Sequence, residues 1–162
     1  MGFGVGKAAM AAGALALAAG TALAHDAPQP ATPAGKAAGA RHQNFKQIGG
    51  AFKAAMDESK KGSPDMAVIG ASAQKLVALS RQLPSWFPAG SGPGSGANTA
   101  AKAEVWRDPK GFAAAAQRLQ AESLKLQQVA ASGDESAAKA QVVALGGACK
   151  NCHDKFRVPD KH

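Results

Sequence analysis

Near the end of the chain, Cys149-Lys150-Asn151-Cys152-His153 sets two thiols three residues apart, with an imidazole directly after the second. C-x-x-C-H is the spacing by which a c-type haem is attached. Two thiols at this separation add to the two vinyl groups of the porphyrin and give thioethers at neighbouring corners. The adjacent imidazole then stands under the iron as a nitrogen ligand. Three other uses of a cysteine pair fit less well. A thioredoxin-like C-x-x-C needs a strand–helix–strand setting, whereas this pair lies in a stretch of helical period late in the chain. A zinc site needs two further ligands, and the histidines at 25, 42, 153 and 162 fall at no finger spacing. A disulfide between cysteines this close on one helix meets poor geometry.

The pair must be carried by a helix, and the pattern supplies one. Val142, Leu145, Cys149, Cys152 and Phe156 follow at steps of three, four, three and four, which puts both cysteines on one apolar stripe. Three earlier segments show the same period. Phe45, Ile48, Phe52 and Met56 mark the first. Ile69, Ala73, Leu76 and Leu83 mark the second, with Ser63 read as its N-cap and Pro64 as its first residue. Phe112, Ala115, Ala116, Leu119, Leu126 and Ala130 mark the third, opened by Asp108-Pro109 and closed by Ser132-Gly133-Asp134. Between the second and third, LPSWFPAGSGPGSGAN (83–98) holds three prolines and four glycines, and so is a connector. Trp86 and Phe87 inside it predict that one end is pinned to the core. Four amphipathic helices around one long connector predict an all-α protein, an antiparallel four-helix bundle with one covalently bound haem.

Composition agrees and narrows the class. The chain has 162 residues, 46% of them hydrophobic but only 5% aromatic, with no tyrosine. Its apolar content is therefore mostly alanine and leucine, which favour helix over strand. Two cysteines exclude a disulfide-dense scaffold. A net charge of +8 excludes an acidic solvating chain. The lysines are scattered rather than interleaved with aromatics, which argues against nucleic-acid binding; their charge suits docking to an acidic redox partner protein.

Residues 1–24 (MGFGVGKAAMAAGALALAAGTALA) combine one positive charge, an uncharged run and an Ala-Leu-Ala end. These are the parts of a cleaved secretory signal peptide, and the run is shorter and weaker than the ~20 strongly apolar residues of a membrane span. We expect a periplasmic protein with no stable membrane association after cleavage. Residues 25–39, with three prolines and no large apolar side chain, read as a disordered leader, and residues 40–159 as the bundle.

With the haem motif at the C-terminal end, the chain resembles the cytochromes c′ and their class II relatives. The resemblance rests on Arg41-x-x-x-Phe45-Lys46, Trp86-Phe87-Pro88-x-Gly90, Glu104-x-Trp106-x-Asp108 and CKNCHDKFR, and runs from about Arg41 to Arg157. It implies a four-helix bundle, often paired as a homodimer, with one covalent haem c held by Cys149 and Cys152 and ligated by His153. It further implies Arg41 beside a haem propionate and Arg157 near the proximal face. Low-spin members have methionine where this chain has Phe45, and a phenyl ring has no lone pair to donate. The expected iron is therefore five-coordinate and high-spin, open to small gases such as NO or CO behind Phe45. Met56, eleven residues on, is about 16 Å away along a helix and too far to substitute. His42, three residues before Phe45, is the one side chain that would make a low-spin bis-histidine centre instead.

Two function classes follow, an electron carrier and a dedicated gas-binding module. No acid/base residue suited to peroxide cleavage stands near Phe45 other than His42, so an enzyme is not expected.

Overall fold

The fold is that of a computed structural model, which describes residues 1–2 and 28–159. The signal peptide lies outside the described residues apart from its first two, as do residues 25–27 of the expected leader. Five helices follow in order: α1 (Pro33–Ser59), α2 (Met66–Gln82), α3 (Glu104–Arg107), α4 (Pro109–Ser132) and α5 (Glu135–Phe156), with a 3-10 turn at Leu83–Trp86. α1 packs on α2 and α5, and α4 on α2 and α5, so the four long helices close into an antiparallel bundle. One end holds the short α1–α2 and α4–α5 turns. The other end holds the long connector, α3 and the C-terminal turns of α5.

Capping chemistry explains most boundaries, and in two places it moves them from the sequence expectation. α1 begins at Pro33 rather than after the leader, because Thr32 accepts from the Gly35 N–H at 3.1 Å and Pro33 supplies a preset first turn. Residues 33–39 are thus helical, with Ala38 buried. Lack of large side chains does not forbid a helix when a cap and alanines are present. α2 is capped by Asp65, not Ser63. The Asp65 carboxylate accepts from Ala67 N at 2.8 Å, while its own N–H donates to Glu58 Oε1 at 2.9 Å, and Pro64 is left outside the helix. α4 opens as expected, with Asp108 accepting from Gly111 N at 2.9 Å ahead of Pro109. It ends at Gly133, whose φ of 76° is a left-handed C-cap conformation that glycine adopts without Cβ strain. Asp134 then caps α5.

The predicted stripes line the core. Ile69, Ala73, Leu76, Leu126, Ala138 and Leu145 are fully buried, and Ala51, Ala55, Ala116 and Ala130 complete a core with many small side chains. Alanine lets helices approach closely but removes little apolar area per residue. The larger side chains concentrate at the connector end, where Phe45, Trp86, Phe87, Phe112 and Phe156 form a chain of edge-to-face contacts with centroids 4.7–6.1 Å apart. Such contacts add about 0.5–1.5 kcal/mol each beyond burial.

Candidate haem site

Both cysteines sit in the last two turns of α5, half-buried and packed against the core cluster. No disulfide joins them. Burial pushes the Cys149 thiol above its ordinary range. Burial, and then the neighbouring Cys149, push Cys152 up to about 11. Both are therefore neutral at physiological pH. His153, next in sequence, is exposed on the outer side of the same turn.

The element facing this turn is α1. A Cβ added to Gly146 would stand 3.2 Å from the Phe52 ring, so Phe52 lies directly on α5 at that glycine. A depression of about 460 Å³ continues from there toward the short-turn end, lined by Met56 against Val142 and by Ser59 against Lys139. Met56 thus lines the depression on the short-turn side of Gly146. In an antiparallel register the offset from Phe52 to Phe45 equals that from Gly146 to His153, seven residues or about 10 Å along each helix. Phe45 is boxed by Trp86 at 5.5 Å and Phe87 at 6.1 Å, both from the connector. His42 is half-buried on α1, next to Arg41.

Arg41 is 4% exposed. Its Nη1 donates to the Trp86 carbonyl and to Ser91 Oγ, and its Nη2 donates to the Ser91 carbonyl and to Thr99 Oγ1, at 2.9–3.2 Å. The guanidinium lies 4.6 Å from the centroid of Phe87 and 5.8 Å from that of Trp106. Burial lowers its pKa. Ser91 and Thr99 are partners that sequence reasoning missed, since a serine and a threonine in a glycine-rich connector carry no signal of their own.

The helix ends at Phe156, and Arg157 is extended, paired across an isolated bridge with Ala101. Lys102 N donates to Phe156 O at 2.9 Å and Val158 N to Ala100 O at 2.8 Å. These bonds tie the connector to the chain on both sides of Arg157. Arg157 N still donates to His153 O at 3.0 Å, which holds it against the turn that carries the motif.

The residues present suit a covalent haem. Two neutral thiols one turn apart face an aromatic-walled end of the core, with an imidazole beside the second. Arg41 is a buried cation whose hydrogen-bond partners are all neutral, which favours a nearby carboxylate. Among the described residues, no group of three or more His, Cys, Asp or Glu is arranged to hold a metal ion by itself.

Residues 36–157 match the family model described as Cytochrome C′. The chain belongs to the cytochrome c′ family. It is similar to the cytochrome c′ of Rhodospirillum rubrum, 38% identical over 85 residues, a match covering 52% of this chain and 56% of that one. It is 41% identical over 104 residues to the cytochrome c′ of Rubrivivax gelatinosus, covering 64% of this chain and 78% of that one. The crystal structure of cytochrome c′ from Rubrivivax gelatinosus superposes with a TM-score of 0.68 at 34% identity, over 76% of this chain and 96% of that one. The nitric oxide complex of a leucine-to-alanine variant of cytochrome c′ from Alcaligenes xylosoxidans superposes with a TM-score of 0.70 at 27% identity, over 78% and 97%. The chain is thus a c-type cytochrome of the four-helix-bundle class with a covalent haem c. Its Cys149 and Cys152 fit the C-x-x-C-H attachment.

Proposed function

We propose that this cytochrome c′ is an exported haem protein that takes up a small neutral gas, NO or CO, at a sixth iron position shielded by Phe45. Bound haem supplies a one-electron couple and an iron able to accept a diatomic ligand. Cys149 and Cys152 hold it by thioether bonds, and His153 presents an imidazole nitrogen to the iron. Phe45 carries the reading. It stands on α1 with Trp86 and Phe87 edge-on to its ring. A phenyl group excludes water and anions from that side while offering no lone pair of its own. The nitric oxide complex of the related Alcaligenes protein supports the choice of ligand.

Electron transfer belongs to the same reading. Lys150, Asn151, His153, Asp154 and Lys155 are exposed, so the turn that carries the motif lies at the surface, within reach of a partner protein. The excess of Lys and Arg over Asp and Glu suits an acidic partner. No catalytic turnover is proposed. Export to the periplasm rests on residues 1–24, and no helix among the described residues is long and apolar enough to cross a membrane. Pairing as a homodimer is part of the proposal and is read by sedimentation.

Two measurements test this. Intact mass after acid–acetone extraction should equal the polypeptide from His25 plus one haem; a bare polypeptide mass would end the covalent-haem reading. The ferrous optical spectrum should be high-spin and should change on adding CO. A low-spin spectrum indifferent to CO would overturn the open sixth position.

A further inference from the structure

The connector between α2 and α3 runs from Leu83 to Ala103, and a segment this rich in glycine loses much conformational entropy when ordered. It is nonetheless tied down at many points, and the most buried tie is Arg41. A guanidinium carries four N–H groups on its two terminal nitrogens. In Arg41 those two nitrogens make four hydrogen bonds, all to the connector: the Trp86 carbonyl, both oxygens of Ser91, and Thr99 Oγ1. Among the described residues no carboxylate pairs with it. The two connector residues that box Phe45 are both held by this one side chain. Trp86 is held through its carbonyl, and Phe87 through its ring face. Arg41 also lies one helical turn before Phe45 on α1, so the ring and the fastener of its walls share a rigid element.

The acceptors are themselves fixed. Ser91 is 1% exposed, and its hydroxyl donates to the Pro88 carbonyl at 2.8 Å while accepting from Arg41. Trp106 donates to the same carbonyl at 3.1 Å, and its ring lies where a Cβ on Gly92 would stand, 2.8 Å away. Thr99 Oγ1 accepts both from Arg41 at 2.9 Å and from Ala101 N at 3.1 Å.

We infer that Arg41, Ser91 and Thr99 form a buried lock that holds Trp86 and Phe87 against Phe45, and that this lock sets the size of ligand the distal side admits. Ser91 and Thr99 are then positioning residues for ligand selection, without touching the ligand. The inference rests on the Phe45 reading above.

The test uses haem-loaded protein carrying Ser91→Ala with Thr99→Val, compared with wild type and with Thr99→Ser, which keeps the hydroxyl. Two readouts are taken: amide hydrogen exchange over residues 86–99, and the affinity of ferrous protein for n-butyl isocyanide relative to CO. Hydrogen bonds to a charged group are stronger than neutral ones, so exchange in the double variant should rise about tenfold or more. The isocyanide-to-CO affinity ratio should rise in parallel, while Thr99→Ser stays near wild type. Unchanged exchange overturns the lock. Faster exchange with an unchanged ratio overturns its role in selection. An Arg41→Gln variant whose midpoint potential shifts while exchange over 86–99 stays as in wild type would also overturn the lock, and would assign Arg41 to a haem carboxylate. Wild-type protein that fails to bind CO overturns the gas-site reading instead, and the exchange measurement still reports on the lock.

Discussion

At the scale of single residues, the difference between a phenyl ring and a thioether of similar reach is one lone pair. Phe45 shields without donating, so Phe45→Met should place a sulfur at ligating distance from the iron. The ferrous spectrum should shift toward low spin, and CO binding should weaken by about tenfold or more, the ratio that ~1.4 kcal/mol of competing ligation produces. Should wild-type protein already be low-spin, His42→Ala is expected to convert it, because His42 lies three residues from Phe45 on the same helix. A low-spin spectrum that survives His42→Ala would remove Phe45 from the distal position. Arg157 teaches a different lesson at this scale. It follows His153 by one helical turn in sequence, yet its backbone is extended, with φ −119° and ψ 138°.

At the scale of elements, α5 is fastened at the end where it carries chemistry. Lys155 Nζ lies 2.6 Å from Asp108 Oδ2, and the same Asp108 caps α4 through Gly111 N. Lys102 Nζ donates to Asp154 O at 2.8 Å. Asp108 is held below its ordinary pKa of 3.8, first by the Lys155 hydrogen bond and then by the Gly111 N–H. A carboxylate depressed in the folded state adds stability that is present above its unfolded pKa and lost as pH falls through the folded one. The joint between α4 and α5 should therefore loosen below about pH 4, visible as faster amide exchange at residues 150–158. Asp108→Asn, which keeps a capping oxygen, should abolish that acid dependence and exchange at one rate across the window. An Asn variant that retains the full acid transition would show that another group drives it. Lys155 and Asp108 are both substantially exposed, so the effect on global stability is expected to be small.

At the scale of the whole molecule, the core has two unequal ends. The short-turn end is filled by alanines with a few leucines and isoleucines, while the connector end is filled by aromatic edges around half-buried Cys149 and Cys152. A large apolar cofactor attached to those cysteines adds burial at the aromatic end, at about 25 cal/mol per Å², to a bundle whose alanines bury little area elsewhere. Cys149→Ser with Cys152→Ser is expected to cost most of the folded population, read as loss of a cooperative melt by circular dichroism. A native-like melt without haem would mean that the helices and the connector ties suffice. Leu126→Ala gives a reference for that comparison. It is fully buried, and its truncation should cost about 2–5 kcal/mol in haem-loaded protein.

The sequence by itself determined the helices, the connector and the chemistry of attachment. Helical period, capping residues and C-x-x-C-H are local signals, and local signals survive without knowledge of what packs on what. Its errors were also local. Ser63 and Asp65 are both capping residues two apart, and only the Glu58 carboxylate, which takes the Asp65 N–H, selects between them. The start of α1 was missed because prolines and small residues resemble a leader until Thr32 is seen capping Gly35. Tertiary structure alone decided the rest. Which residues of α1 face which turn of α5 depends on the register of the two helices, which the contact of Phe52 at Gly146 reports. That Arg41 turns inward depends on a connector folding back so that residues 86, 91 and 99 converge on one guanidinium. Contacts between residues 45 to 58 positions apart are set by how the whole chain closes, and no period or spacing encodes them.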